Sequence, residues 1–256
     1  MLTVLWTALG VGGATAIGAL IGFLFKSPSH KFNDIVLSLA AGIMLAAAVM
    51  GLIVPSITHG VAEFGNWSLL MTVGGIFIGA VCLLFIDKSV PHLHKLVGVE
   101  EELHPENNKR LGRILLFVLA IAIHNFPEGL AAGVSFGTGN TGDAITVAIG
   151  IALQNIPEGM IIIAPMIASG VSKKRTLIIA LITGLVEVVG TLIGYFAVSI
   201  STIILPFMLA FAGGTMLYVI SDEMIPETHA HGNERAATFS LLMGFAIMLV
   251  IDFFLG

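Results

Sequence analysis

Eight stretches of this chain run for roughly twenty residues with scarcely a charge, and no lysine or arginine lies deep inside any of them. They fall near residues 2–25, 33–56, 68–86, 111–133, 142–168, 175–198, 202–225 and 236–255. About 20 apolar residues in an α-helix span the hydrocarbon core of a bilayer, so each stretch is long enough to cross one. Composition agrees: 57% of residues are hydrophobic, 11% are charged and the mean hydropathy is +1.02. A water-soluble fold is excluded on those figures. The expected fold class is an all-α integral membrane protein, an eight-transmembrane-helix bundle. With short connecting loops, residues 1–256 read as a single transmembrane domain. The first stretch has no lysine or arginine before it and an apolar run too long for a signal peptide, so it reads as a retained span. Cys82 is the only cysteine, which excludes an internal disulfide and a thiolate cluster.

The basic residues sort by side. Lys26 and Lys31; Lys88, Lys95, Lys109, Arg110 and Arg113; Lys173, Lys174 and Arg175; and Arg235 fall in or beside the first, third, fifth and seventh loops. The positive-inside rule then makes the odd loops cytoplasmic and puts both termini outside, extracellular or periplasmic.

Acids break the apolar pattern where bases do not. Glu128, Glu158 and Glu187 sit within spans. A carboxylate at mid-membrane costs at least about 2.5 kcal/mol, and such a group normally faces a cavity or a partner. Without a basic side chain at that depth, the expected partner is a proton or a cation taken up from outside.

Two of these acids belong to a repeat, "HNFPEG" at 124–129 and "QNIPEG" at 154–159. At about 100° per residue, Glu128 lies at 40° between His124 at zero and Asn125 at 100°. Its two oxygens can therefore be shared between an ion held with His124 and an ion held with Asn125. Gln154, Asn155 and Glu158 repeat the arrangement, which points to a paired, carboxylate-bridged metal site. Pro127 and Pro157 have no N–H and free the carbonyls of Ile123 and Leu153, which are tolerated where they line a cavity. Gly129 and Gly159 are expected to let the two helices approach each other closely. Consecutive spans run antiparallel, so this direct repeat becomes an inverted pair about the membrane midplane, a transporter pattern.

"HNFPEG", "QNIPEG" and "GLVEVVG", in the fourth, fifth and sixth spans, resemble the ZIP (Zrt- and Irt-like) divalent-metal transporters, in particular their prokaryotic GufA-like branch. The likeness covers the whole chain and includes "GTMLYVISDEMIPE" in the seventh span. It implies uptake of Zn²⁺, or of Fe²⁺, Mn²⁺, Co²⁺ or Cd²⁺, into the cytoplasm through a binuclear centre. Carried onto these residues, one metal site takes His124, Glu128, Gln154 and Glu158, with Met44 as an added thioether. The other takes Asn125, Glu128, Asn155, Glu158 and Glu187. Gln154 departs from the histidine that many members carry, which leaves metal preference more open. The metal ion is then cargo and no resident cofactor is expected. The partners implied are divalent ions, the lipid bilayer and a second copy of the chain in a homodimer, with no nucleic acid. The implied location is the plasma membrane.

Acids and histidines near the span ends are candidates for the two mouths of such a path. On the outer side these are Glu63, Asp143 and Asp252. On the inner side a histidine-containing loop at about 87–110 offers Asp87, His92, His94 and His104, and "DEMIPETHAHG" offers Asp222, Glu223, Glu227, His229 and His231. Removing residues 92–106 is expected to alter release or regulation more than selectivity.

Other chemistries have weaker footing. No His-Glu-x-x-His is present for a zinc protease and no Gly-x-x-x-x-Gly-Lys-Ser/Thr for ATP. "GVSFG" around Ser135 matches a nucleophile elbow in letters, but a membrane helix precedes it where a strand is required. An intramembrane metallohydrolase or a metal sensor is the reading from a different class. A divalent ion entering a negative interior gains about 4.6 kcal/mol per 100 mV, which supports uptake without ATP. Metal ligands must be deprotonated, so binding is expected to release protons.

Overall fold

A computed structural model describes residues 1–25, 28–96, 122–168 and 170–255. The described residues form helices and no strand. In a bilayer every backbone N–H and C=O must be satisfied within the chain, and helices of Ala, Leu, Ile and Val do this locally. Among the described residues six segments are long and apolar enough to cross a membrane: Leu2–Gly22, His30–Ile86, Thr141–Ala164, Lys173–Ile200, Leu205–Thr228 and Glu234–Leu255.

Helix α1 spans Leu2–Gly22 and α2 spans His30–Ala48, opened by the Ser29 side chain accepting from the Phe32 N–H at 3.2 Å. A π-helical turn, Val49–Ile53, joins α2 to α3, Val54–Phe64. Gly65, at φ +56°, ends α3 in a conformation that side-chain-bearing residues rarely adopt. There the chain turns back into α4, Ser68–Leu96, which packs beside α3. Residues 122–135 form α5, and α6 (Thr141–Ala168), α7 (Lys173–Ile200) and α8 (Leu205–Val219) follow. A second π-helical turn, Ile220–Met224, leads into the short α9, Ile225–Thr228, and α10 is Glu234–Leu255.

The two π-helical turns share a cause. Each lies just before a proline, Pro55 or Pro226, that cannot donate to the fourth residue back. The residue ahead of each proline donates one step further, from Val54 N–H to the Val49 carbonyl and from Ile225 N–H to the Ile220 carbonyl.

Many small residues line the interior, and many large apolar ones lie on the outside. Ala40, Ala41, Ala46, Ala47 and Ala48 are fully buried, whereas Trp6, Phe77, Phe85, Phe239 and Phe253 are exposed. That inversion suits a bundle in lipid, where small side chains let backbones approach and bulky apolar ones face acyl chains. The tightest neighbours are α1 with α6 and α7, α2 with α10, and α4 with α8, while α2 also packs on α6.

One expected boundary moves. The loop expected at about 87–110 starts later, because α4 continues to Leu96 and carries Asp87, His92 and His94 on helix. An apolar run ends where the bilayer does, but lysine and leucine sustain a helix beyond it. His104 and the first part of the expected fourth span, 111–133, lie outside the described residues.

Candidate metal centre

Glu187 organises the polar interior. It lies midway along α7 with no solvent exposure. Its Oε1 accepts from Asn125 Nδ2 at 2.7 Å and from Thr15 Oγ1 at 2.9 Å, and its Oε2 accepts from Asn155 Nδ2 at 2.5 Å. Both repeat motifs thus meet on one carboxylate, through helices α5 and α6. The Asn155 amide also donates to the carbonyl of Val11 on α1, at 3.2 Å.

Beside this cluster, Gln154 Nε2 donates to Glu128 Oε1 at 2.9 Å, joining the first motif to the second. Glu158 is half-buried and interacts electrostatically with Glu128, Glu187 and His124. Three oxygens of this assembly are buried and find no donor among the described residues: Glu128 Oε2, Gln154 Oε1 and Asn155 Oδ1. An unsatisfied buried acceptor costs about 1–3 kcal/mol. A bound cation removes that cost, and carboxylate and amide oxygens are hard donors suited to divalent ions.

His124 also pairs with an acid outside the repeat. Its Nε2 lies 2.8 Å from Glu223 Oε1, in the second π-helical turn. Among the described residues no three His, Cys, Asp or Glu side chains are drawn together closely enough to hold a metal, so convergence here depends on the amides. Met44 is buried in the apolar cluster with Leu130 and Ile151.

Gly129 and Gly159 do admit close neighbours, but not as a facing pair. A Cβ at Gly129 would fall on the backbone oxygen of Glu187, and one at Gly159 on that of Thr15. The expectation that they bring the motif helices against each other is therefore corrected: they seat α5 on α7 and α6 on α1.

The candidate mouths are only partly assembled. Asp143, in the first turn of α6, accepts from Asn140 Nδ2 at 2.8 Å and lies close enough to Asp252 to interact with it. Glu63 is exposed near the end of α3. On the other side Asp222 accepts from the Tyr218 hydroxyl at 3.1 Å, and Glu227 is exposed. His229 is tied to the Ile225 carbonyl and Thr238, and His231 lies 3.0 Å from Asp34. The side chains of Asp87, His92 and His94 lie outside the description. Ser135, the last residue of α5, is buried and donates to the Ala132 carbonyl.

Thr15 and Val11 contribute to the cluster without any mark in the sequence. One threonine in an apolar helix carries no signal of its own, and a backbone carbonyl carries none at all.

A multi-pass helical membrane protein with a carboxylate–amide cluster enclosed between its helices is the class these features define. The chain belongs to the ZIP zinc transporter family, whose model matches residues 98–252, more than half of it. It is 41% identical to the zinc transporter GufA of Myxococcus xanthus, over 97% of each chain. It is 37% identical to the zinc transporter ZIPB of Bordetella bronchiseptica, over 95% of this chain and 78% of that one, and 30% identical to the human zinc transporter ZIP11, over 95% and 94%. Membership places it with transporters rather than enzymes.

Proposed function

We propose that this protein carries divalent transition-metal ions, zinc foremost, across the plasma membrane into the cytoplasm. The observation that carries the reading is the trio of buried oxygens on Glu128, Gln154 and Asn155 without a donor among the described residues, Gln154 being bonded to Glu128 and Asn155 to Glu187. Two adjacent ions are held, bridged by Glu128 and Glu158. His124 and Gln154 complete one position, with Met44 beside it, and Asn125, Asn155 and Glu187 complete the other. Eight spans with both termini outside and a homodimeric assembly complete the picture. The outer acids Asp143 and Asp252 gather ions, and the inner acids and histidines receive them.

Metal binding here exchanges protein hydrogen bonds for coordination. Glu128 and Glu187 already accept from amides, so an arriving ion competes with those donors rather than with bulk water. A site of this kind binds reversibly, which a carrier needs. Membrane potential supplies the driving force, about 4.6 kcal/mol per 100 mV for a divalent ion.

The test is uptake into sealed proteoliposomes containing a divalent-sensitive dye, comparing Zn²⁺, Fe²⁺, Mn²⁺, Co²⁺, Cd²⁺ and Mg²⁺. Influx that excludes Mg²⁺ and disappears in the Glu128→Ala, Glu158→Ala double variant is the expected result. A folded protein that binds metal yet shows no influx under a negative-inside potential overturns it.

A further inference from the structure

Helix α1 carries no acid, amide or histidine between Leu2 and Gly22, yet it supplies two groups to the centre. Thr15 is buried, and its hydroxyl crosses to Glu187 Oε1 on α7 at 2.9 Å. One turn earlier on the same face, the Val11 carbonyl accepts from Asn155 Nδ2.

A buried threonine in a helix ordinarily turns its hydroxyl back to a carbonyl of its own preceding turn. Thr183, Thr191 and Thr215 all do so here, bonding the carbonyls of Ala180, Glu187 and Ala212. Thr15 does not. The carbonyl four residues back is that of Val11, and there Asn155 Nδ2 donates instead.

The exchange orients two candidate ligands at once. Both neighbours of Asn155 Nδ2, the Val11 carbonyl and the Glu187 carboxylate, can only accept while that carboxylate is ionised. The amide nitrogen must therefore face α1 and α7, which leaves Asn155 Oδ1 as the free, buried acceptor. Glu187 in turn is held by donors from three helices, of which Thr15 is the donor that is not itself a candidate ligand.

We infer that Thr15 is a positioning residue for divalent-ion binding, acting by fixing the carboxylate of Glu187. This rests on the transport reading above and adds to it a residue from a helix that bears no ligand. Packing of α1 does not depend on the hydroxyl: Gly12 and Gly184 bring the α1 and α7 backbones together, and Gly18 seats α1 on Ile156 of α6. Replacing the hydroxyl by a methyl group should leave the fold and remove one donor.

The experiment measures Zn²⁺ uptake as a function of concentration in proteoliposomes for the intact protein and for Thr15→Val, Thr15→Ser, Thr191→Val and Glu187→Ala, normalised to folded protein by size-exclusion chromatography. In Thr15→Val the half-saturating concentration should rise about tenfold, the loss expected for one charge-assisted hydrogen bond, while maximal rate per folded protein is kept. Thr15→Ser should return it to within about twofold, since the donor is restored. Thr191→Val, which removes a buried hydroxyl bonded only to backbone, should behave as the intact protein. Should Thr15→Val fail to fold, Thr15→Ala is read in the same way. An unchanged half-saturation in the valine variant, with uptake still dependent on Glu187, overturns the positioning role alone. Equal losses of maximal rate in Thr15→Val and Thr191→Val also overturn it, as a packing effect. Uptake indifferent to Glu187→Ala overturns both this inference and the transport site it rests on.

Discussion

The imidazole of His124 and the carboxylate of Glu223, 99 positions apart in the chain, meet at 2.8 Å. The first residue of the "HNFPEG" motif is thereby tied to the π-helical turn after α8. With His124 as a ligand in the proposed site, Glu223 and a metal ion would compete for the same ring nitrogen. Replacing Glu223 by alanine should free His124 for the ion and slow its release, so that half-saturation and maximal uptake rate both fall. The pair is partly exposed, so the change in affinity should not exceed about fivefold. Concentration-dependent Zn²⁺ uptake checks this, and a raised half-saturation counts against it.

Gln154 donates to Glu128 through its nitrogen and keeps its oxygen unpartnered. Substituting histidine puts a softer donor in its place. Gln154→His should shift preference toward Zn²⁺ and Cd²⁺ at the expense of Mn²⁺, by several-fold in competition assays, because imidazole suits the later metals better than an amide oxygen does. An unchanged order would remove Gln154 from the ligand set.

Two glycines give opposite expectations. Gly129→Ala forces a methyl group onto the Glu187 backbone and should destabilise by about 1–3 kcal/mol while impairing uptake. Gly13→Ala places its methyl group where nothing lies within 4 Å and should stabilise by about 0.5–1 kcal/mol through helix propensity. Thermal unfolding in detergent separates them, and similar shifts in both would show that the α5–α7 contact is looser than described.

Asp34, near the start of α2, is buried and accepts from Asn233 Nδ2 at 2.8 Å while lying 3.0 Å from His231 Nδ1. His30 stacks on His231 with ring centroids 4.6 Å apart. These contacts pin the α9–α10 connection to α2. Asp34→Ala should strand two donors and cost about 2 kcal/mol, lowering Tm by several degrees, with the half-saturation for Zn²⁺ unchanged. A shift in half-saturation without loss of Tm would give Asp34 a part in ion handling instead.

Much of this protein is written in one dimension. Whether a segment enters a bilayer depends on the summed hydropathy of about twenty consecutive residues, and six such segments are helices here. The cost of a carboxylate at that depth is equally local, which is why Glu128, Glu158 and Glu187 declare themselves by position alone. The N-x-P-E-G repeat adds spacing, and spacing on a helix fixes which side chains share a face. Helix ends are less legible: α4 outlasts its apolar run to Leu96, since propensity and hydropathy are different properties.

The sequence by itself therefore determined that this is a helical membrane protein with acids and amides at its centre, because burial of charge and the length of apolar runs need no knowledge of neighbours. Only the tertiary structure decided which groups those acids meet. Glu187 finds Asn155, Asn125 and Thr15 at separations of 32, 62 and 172 residues, and His124 finds Glu223. Hydrogen bonds act over about 3 Å and take no account of distance along the chain, so partners brought together by helix packing leave no mark in local pattern.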